Sequence, residues 1–177
     1  MGKFVWWIFF CILLILLSVC HKTGVGPDHP LYGLVINEFM AINNSIISDE
    51  NGEYDDWIEL FNGTGEVVDI GGMYISDDVN NKQKWQIPKT NPTLTTISAG
   101  GFLLIWADRE TAQGILHVGF KLSGSGEAVV ITDSDGKTVV DSYEFGPQTT
   151  DVSMGRQTNG ADKWIKFDNP TPGAGNY

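Results

Sequence analysis

Two glutamates stand on short apolar runs, Glu38 within Leu34–Met40 and Glu59 within Trp57–Asn62. Paired carboxylates can serve as general acid and base when their surroundings push their proton affinities apart. That chemistry needs a companion group, and neither run brings a nucleophile or a base with it. Glutamates half-buried on strands ordinarily meet a cation or a backbone donor instead. Arg109, Arg156, Lys84 and Lys121 are the cations on hand. The pair reads as structural before it reads as catalytic.

Between the two runs lies Asp49-Glu50-Asn51-Gly52-Glu53-Tyr54-Asp55-Asp56, a concentration of oxygen atoms. Calcium takes about six to eight hard oxygens converging from a bent loop, and Asp49, Asn51, Asp55 and Asp56 are the candidate ligands. Asp77, Asp78 and Asn80 make a second acidic turn that could lie nearby. The spacing does not fit an EF-hand loop. Asp and Asn also cap turns through their own backbone, the commoner use of such residues. Both readings stay open.

Other reactive groups are sparse. His21 and His29 precede the body of the chain, leaving His117, and one histidine holds zinc only with further strong ligands. Ser134-Asp135-Gly136-Lys137 has a Ser-x-x-Lys spacing but sits in a turn, whereas that nucleophile opens a helix. Gly124-Ser125-Gly126 is neither a nucleophile elbow nor a phosphate loop. Both cysteines, Cys11 and Cys20, fall in the first 20 residues, so the body has no thiolate nucleophile, disulfide or cysteine metal site. Trp57 and Trp106 are expected in the core. Trp85 and Trp164 are expected at a rim, where an indole can stack on a sugar or grip a partner.

The elements that must position these residues are strands. Alternating or β-branched runs occur at Leu34–Met40, Trp57–Asn62, Met73–Ser76, Lys84–Ile87, Phe102–Ala107, Ala128–Thr132, Thr138–Tyr143 and Val152–Arg156. Clusters of Gly, Asn and Asp separate them. Asp133–Lys137 is the strongest hairpin signal, with Gly136 supplying the positive φ of a tight primed turn. No sustained helical period follows Leu31, and Thr111–Gly114 has room for one helical turn. The economical fold is a two-sheet antiparallel sandwich.

The chain has 177 residues, 11 Lys and Arg against 22 Asp and Glu, and a net charge of −11. Such a surface repels phosphate backbones, so no nucleic-acid partner is expected. Lys3 precedes an apolar stretch from Phe4 to Val19 that ends in Leu17-Ser18-Val19-Cys20. A cation, a short hydrophobic run and small residues make an export signal. The last four residues resemble a bacterial lipobox, with Cys20 as the acylated residue. Val19 departs from the small residue usual before the cysteine, so an uncleaved membrane helix is the alternative. Residues 1–20 are thus a signal peptide or membrane anchor, 21–31 a tether, and 32–177 the folded domain.

The ordered pieces Ile36-Asn37-Glu38, Asp55-Asp56-Trp57-Ile58-Glu59-Leu60 with Asn62, Tyr74-Ile75-Ser76-Asp77-Asp78, and Lys84-Trp85 with Pro88 resemble the lamin tail domain in its bacterial extracellular form. So do Gly100–Asp108, His117, Phe120–Ser123, Gly126-Glu127, Gly155-Arg156, Trp164 and Pro170–Ala174. The resemblance implies an all-β, immunoglobulin-like antiparallel β-sandwich without catalytic residues, used on exported proteins for tethering or binding. It leads to the expectation of a non-enzymatic, membrane-anchored module at the bacterial cell envelope or surface. Its cofactor is none, or calcium, and its partner is an envelope protein or glycan. A carbohydrate-binding or adhesive module is the alternative, and a metal-assisted hydrolase built on the acidic loop is a third reading.

Overall fold

The computed structural model describes residues 24–177. Cys20 and the whole of the leader, with the first part of the segment read as a tether, lie outside the described residues.

The strands in chain order are β1 (Leu34–Met40), β2 (Asp56–Asn62), β3 (Val68–Asp69), β4 (Tyr74–Ser76) and β5 (Trp85–Gln86). A single helical turn, α1 (Pro92–Thr95), leads into β6 (Thr96–Ile97). Then come β7 (Phe102–Ala107), β8 (His117–Val118), β9 (Glu127–Thr132), β10 (Val139–Phe145), β11 (Ser153–Arg156) and β12 (Trp164–Phe167). A six-stranded sheet has the order β12-β11-β1-β2-β7-β8 and a four-stranded sheet β10-β9-β4-β5; β3 and β6 pair by themselves. The pairings are antiparallel except β7 with β8, which is parallel.

Alternation explains what the two sheets bury between them. Leu34, Ile36, Phe39, Ile58, Leu60 and Ile105 from the large sheet meet Ile75, Val129, Ile131 and Val140 from the small one, all at most 3% exposed. The spacing from Ile36 to Phe39 breaks the period of two, and the structure shows why. The β1–β2 register shifts between Ile36 and Glu38. This bulge sets Asn37 and Glu38 consecutively on the outer face of the sheet. After the shift, Glu38 lies opposite Glu59.

The outer face has its own small core. Met40, Trp57 and Trp106 cluster there with Ile47 and Leu104. Trp57 and Trp106 are thus buried as expected, but behind the large sheet rather than between the sheets.

Other expectations shift in detail. The hairpin joining β9 to β10 is a longer loop than a primed turn: Gly136 has φ 68°, while Ser134 and Asp135, the central residues, keep negative φ. Gly136 N donates to Asp133 O at 2.9 Å and Asp133 N to Thr138 O at 2.8 Å. That is a plain turn closed by a left-handed glycine. Thr111–Gly114 is not helical; the helical turn is α1, with Pro92 where a missing N–H matters least. The tether is not free over its described part. Gly24 bridges Asp141, Val25 N donates to Val140 O at 3.3 Å, and Val25 and Leu31 pack on the core. At the other end, residues 170–177 fold back across the outer face.

Candidate functional site

The paired glutamates are fully buried on that outer face. Glu38 Oε1 accepts from Ser153 Oγ and, at 3.1 Å, from Thr171 N; Oε2 accepts from Thr171 Oγ1 at 2.7 Å. Glu59 Oε1 accepts from Asn37 Nδ2 at 3.0 Å and Oε2 from Gly173 N at 2.6 Å. The bulge is what makes Asn37 available to Glu59. Asn176 closes the network: Nδ2 donates to Arg156 O at 2.6 Å and Asn37 O at 3.3 Å, and Oδ1 accepts from Thr171 Oγ1 at 2.9 Å. The two carboxylates therefore fasten the C-terminal strap to the sheet.

None of the four expected cations meets them. Arg156 pairs with Asp141 at 2.7 Å, Lys84 with Asp77 at 2.5 Å and Lys121 with Asp55 at 3.2 Å, while Arg109 is exposed at the end of β7. Apart from Asn37, the donors that do meet them come from residues 153 and 171–173, more than 90 positions away in sequence, which no local pattern announces.

Burial pushes Glu59 up to about 7, against the hydrogen bonds of Asn37 and Gly173 and with the Glu38 charge adding to the rise. Glu59 then holds its proton more tightly folded than unfolded. Its contribution to stability is complete below about pH 4.5 and lost as pH rises through about 7. Asp56, pushed by burial to about 7 although Leu122 N donates to it, acts in the same direction. The melting temperature is therefore expected to fall between about pH 5 and about pH 8, and Glu59→Gln to flatten part of that fall. A melting temperature that rises across the interval contradicts this assignment.

The acidic loop divides differently from its sequence reading. Asp49 Oδ1 accepts from Asn51 N at 2.9 Å and Glu53 N at 2.8 Å, closing the loop on itself. Burial works against the Asp49 carboxylate, but these bonds outweigh it and hold its pKa below the ordinary value. Carboxylate oxygens of Asp49, Glu53 and Asp55 gather within 4.8 Å of one another. Asp56 does not join them and faces Leu122, while the Asn51 amide nitrogen donates to Asp49 Oδ2 at 3.4 Å. Asp77 and Asp78 line a separate groove with Lys84 and Glu127.

His117 enters this corner unannounced. On β8 it lies beside Trp106, its ring stacked at 6.5 Å, and it is 1% exposed. Its Nδ1 meets the buried carboxylate of Asp108 and its Nε2 lies 3.1 Å from Glu50 Oε1. Burial disfavours the charged ring, but hydrogen bonds to Asp108 and Glu50 outweigh it and raise the pKa above the ordinary value. Asp49, Glu50 and His117 form a second group with ligand atoms within 4.8 Å. Glu50 stands beside a residue already singled out and His117 is the lone body histidine. Their meeting rests on the parallel β7–β8 pairing, which the spacing does not show.

A family model described as Lamin Tail Domain matches residues 29–147. The chain belongs to the lamin tail domain family. No curated protein and no solved structure matches it. The matched span includes the acidic loop, His117 and the paired glutamates. The lamin tail domain's sheet continues past residue 147, because β11 pairs with β1 and β12 with β11. Trp85 and Trp164, the expected rim, are both half-buried in this domain. Trp164 stacks on Tyr143 at 3.8 Å with the Arg156 guanidinium 5.0 Å from its ring, and Trp85 packs against Gly119.

Proposed function

We propose that this lamin tail domain is a non-catalytic binding or structural module, held at the cell envelope through its N-terminal segment by acylated Cys20 or an uncleaved helix. One observation carries the non-catalytic part. The carboxylates that could do acid–base chemistry, Glu38 and Glu59, are buried and committed to holding residues 171–173. A general acid has to reach its substrate, and these two are sealed beneath a strap.

Protein interaction is favoured over sugar binding. A stacking platform needs an open ring face, and Trp85 and Trp164 are packed against the body. A shallow groove of about 690 Å³, lined by Asp77, Asp78, Lys84, Glu127 and Glu144 among others, offers a partner mixed charge. The test is affinity capture from native envelope with the anchor intact, alongside a glycan array. A discrete protein retained by the wild type and released by Glu144→Lys supports the reading. Selective glycan binding with no retained protein overturns it.

A further inference from the structure

The corner between the acidic loop and β8 brings one imidazole and two carboxylates around one point. The imidazole of His117 is buried, and its Nδ1 meets the buried Asp108 carboxylate. With that nitrogen donating, Nε2 presents a lone pair whenever the ring is neutral, and a proton on it bridges to Glu50 when the ring is charged. Nε2 faces Glu50 Oε1 at 3.1 Å, also an acceptor. Two acceptors at that distance require a cation between them, a proton or a metal ion. Histidines that bind metals ordinarily donate their other N–H to a carboxylate in this way, which fixes the ring and its tautomer.

Two further features border the corner. Gly114 leaves the approach open: a Cβ there would lie 3.2 Å from His117 Cδ2 and 3.6 Å from Glu50 Oε1. Next to it, the Gln113 amide nitrogen donates to Glu53 at 2.6 Å and to Glu110, while Gln113 Oε1 has no donor. Asp49 sits in both carboxylate groups of this corner.

We propose that Asp49, Glu50 and His117 form a binding site for a divalent transition-metal ion of the zinc class. One imidazole nitrogen with two carboxylates suits zinc or its neighbours, whereas calcium selects oxygen alone. Ligand atoms within 4.8 Å of one another need only a small closure to reach bonds of about 2.0–2.2 Å. Asp108 is a positioning residue behind His117. The site goes beyond the binding-module reading and is independent of it. A bound ion would pin the loop at 49–55 against β8.

The test is calorimetric titration of the full chain in detergent with zinc chloride, then with manganese and calcium chlorides. The expected result is one saturable zinc site of micromolar affinity or better, with calcium failing to compete. Glu50→Gln changes an exposed side chain, so folding is not at stake, and should weaken that site at least about tenfold. Asp108→Asn should weaken it about 10–100-fold, a readout that a loose acidic patch would not give. Zinc binding unchanged by Glu50→Gln, calcium competing on equal terms, or no saturable zinc binding would each overturn the proposal.

Discussion

Replacing Arg156 by methionine is expected to destabilise the domain by about 3–5 kcal/mol, because it strands a buried charge. Arg156 is 5% exposed and its guanidinium serves three acceptors. Nε donates to Ile36 O at 2.8 Å, one terminal nitrogen to Ala161 O at 2.5 Å and the other to Asp141 Oδ2 at 2.7 Å. Asp141 is itself 5% exposed, and its other donors are the backbone N–H groups of Ile36, at 2.9 Å from the facing sheet, and of Ser142. Burial already pushes the Asp141 carboxyl up although Arg156 stands beside it. Without the arginine it takes a proton more readily still, so the defect should shrink toward about pH 5. Urea unfolding checks this through the midpoint at unchanged slope. Adding Asp141→Leu should recover a part of the loss, though not all, since Ile36 N then lacks its acceptor. A single variant within about 1 kcal/mol of wild type would show that the pair is not structural.

The second large effect is expected at Asn176, one residue from the end of the chain. It is 3% exposed, and its carboxamide satisfies Arg156 O, Asn37 O and Thr171 Oγ1. Gly155 allows the approach: a Cβ on that residue would stand 3.0 Å from Asn176 Nδ2 and 3.0 Å from Glu38 Cγ. Asn176→Ala leaves buried carbonyls without donors, at about 1–3 kcal/mol for each unmet group. A loss of about 2–4 kcal/mol is expected. The same urea titration decides it, and a loss under about 0.5 kcal/mol would mean that the strap is not docked.

The sandwich was legible because its main strands are apolar runs set apart by clusters of Gly, Asn and Asp. Leu34–Met40 and Phe102–Ala107 run as the pattern marks them, and parity assigns the buried face of β2, whereas in β1 it fails at the bulge between Ile36 and Glu38. The two-residue strands β3, β6 and β8 escaped, since two residues carry no period. Trp164–Phe167 escaped too, although it pairs fully with β11.

The chemistry was legible in composition but not in partnership. Glu38 and Glu59 stood out as carboxylates among apolar residues, and the structure sets them opposite one another. What they hold was hidden, because one bulge turns Asn37 outward and because the donors arrive from the far end of the chain. His117 was discounted as a solitary histidine. It is solitary only along the sequence, since Asp108 lies nine positions away and Glu50 sixty-seven.

Amide hydrogen exchange at Thr171 and Gly173 tests most directly whether the strand carboxylates are structural clamps. Both N–H groups donate to buried glutamates, so they should exchange as slowly as the centres of β1 and β2. In Glu59→Gln the Gly173 amide should lose protection selectively. Exchange of both amides in wild type at the rate of an unstructured tail would contradict the account.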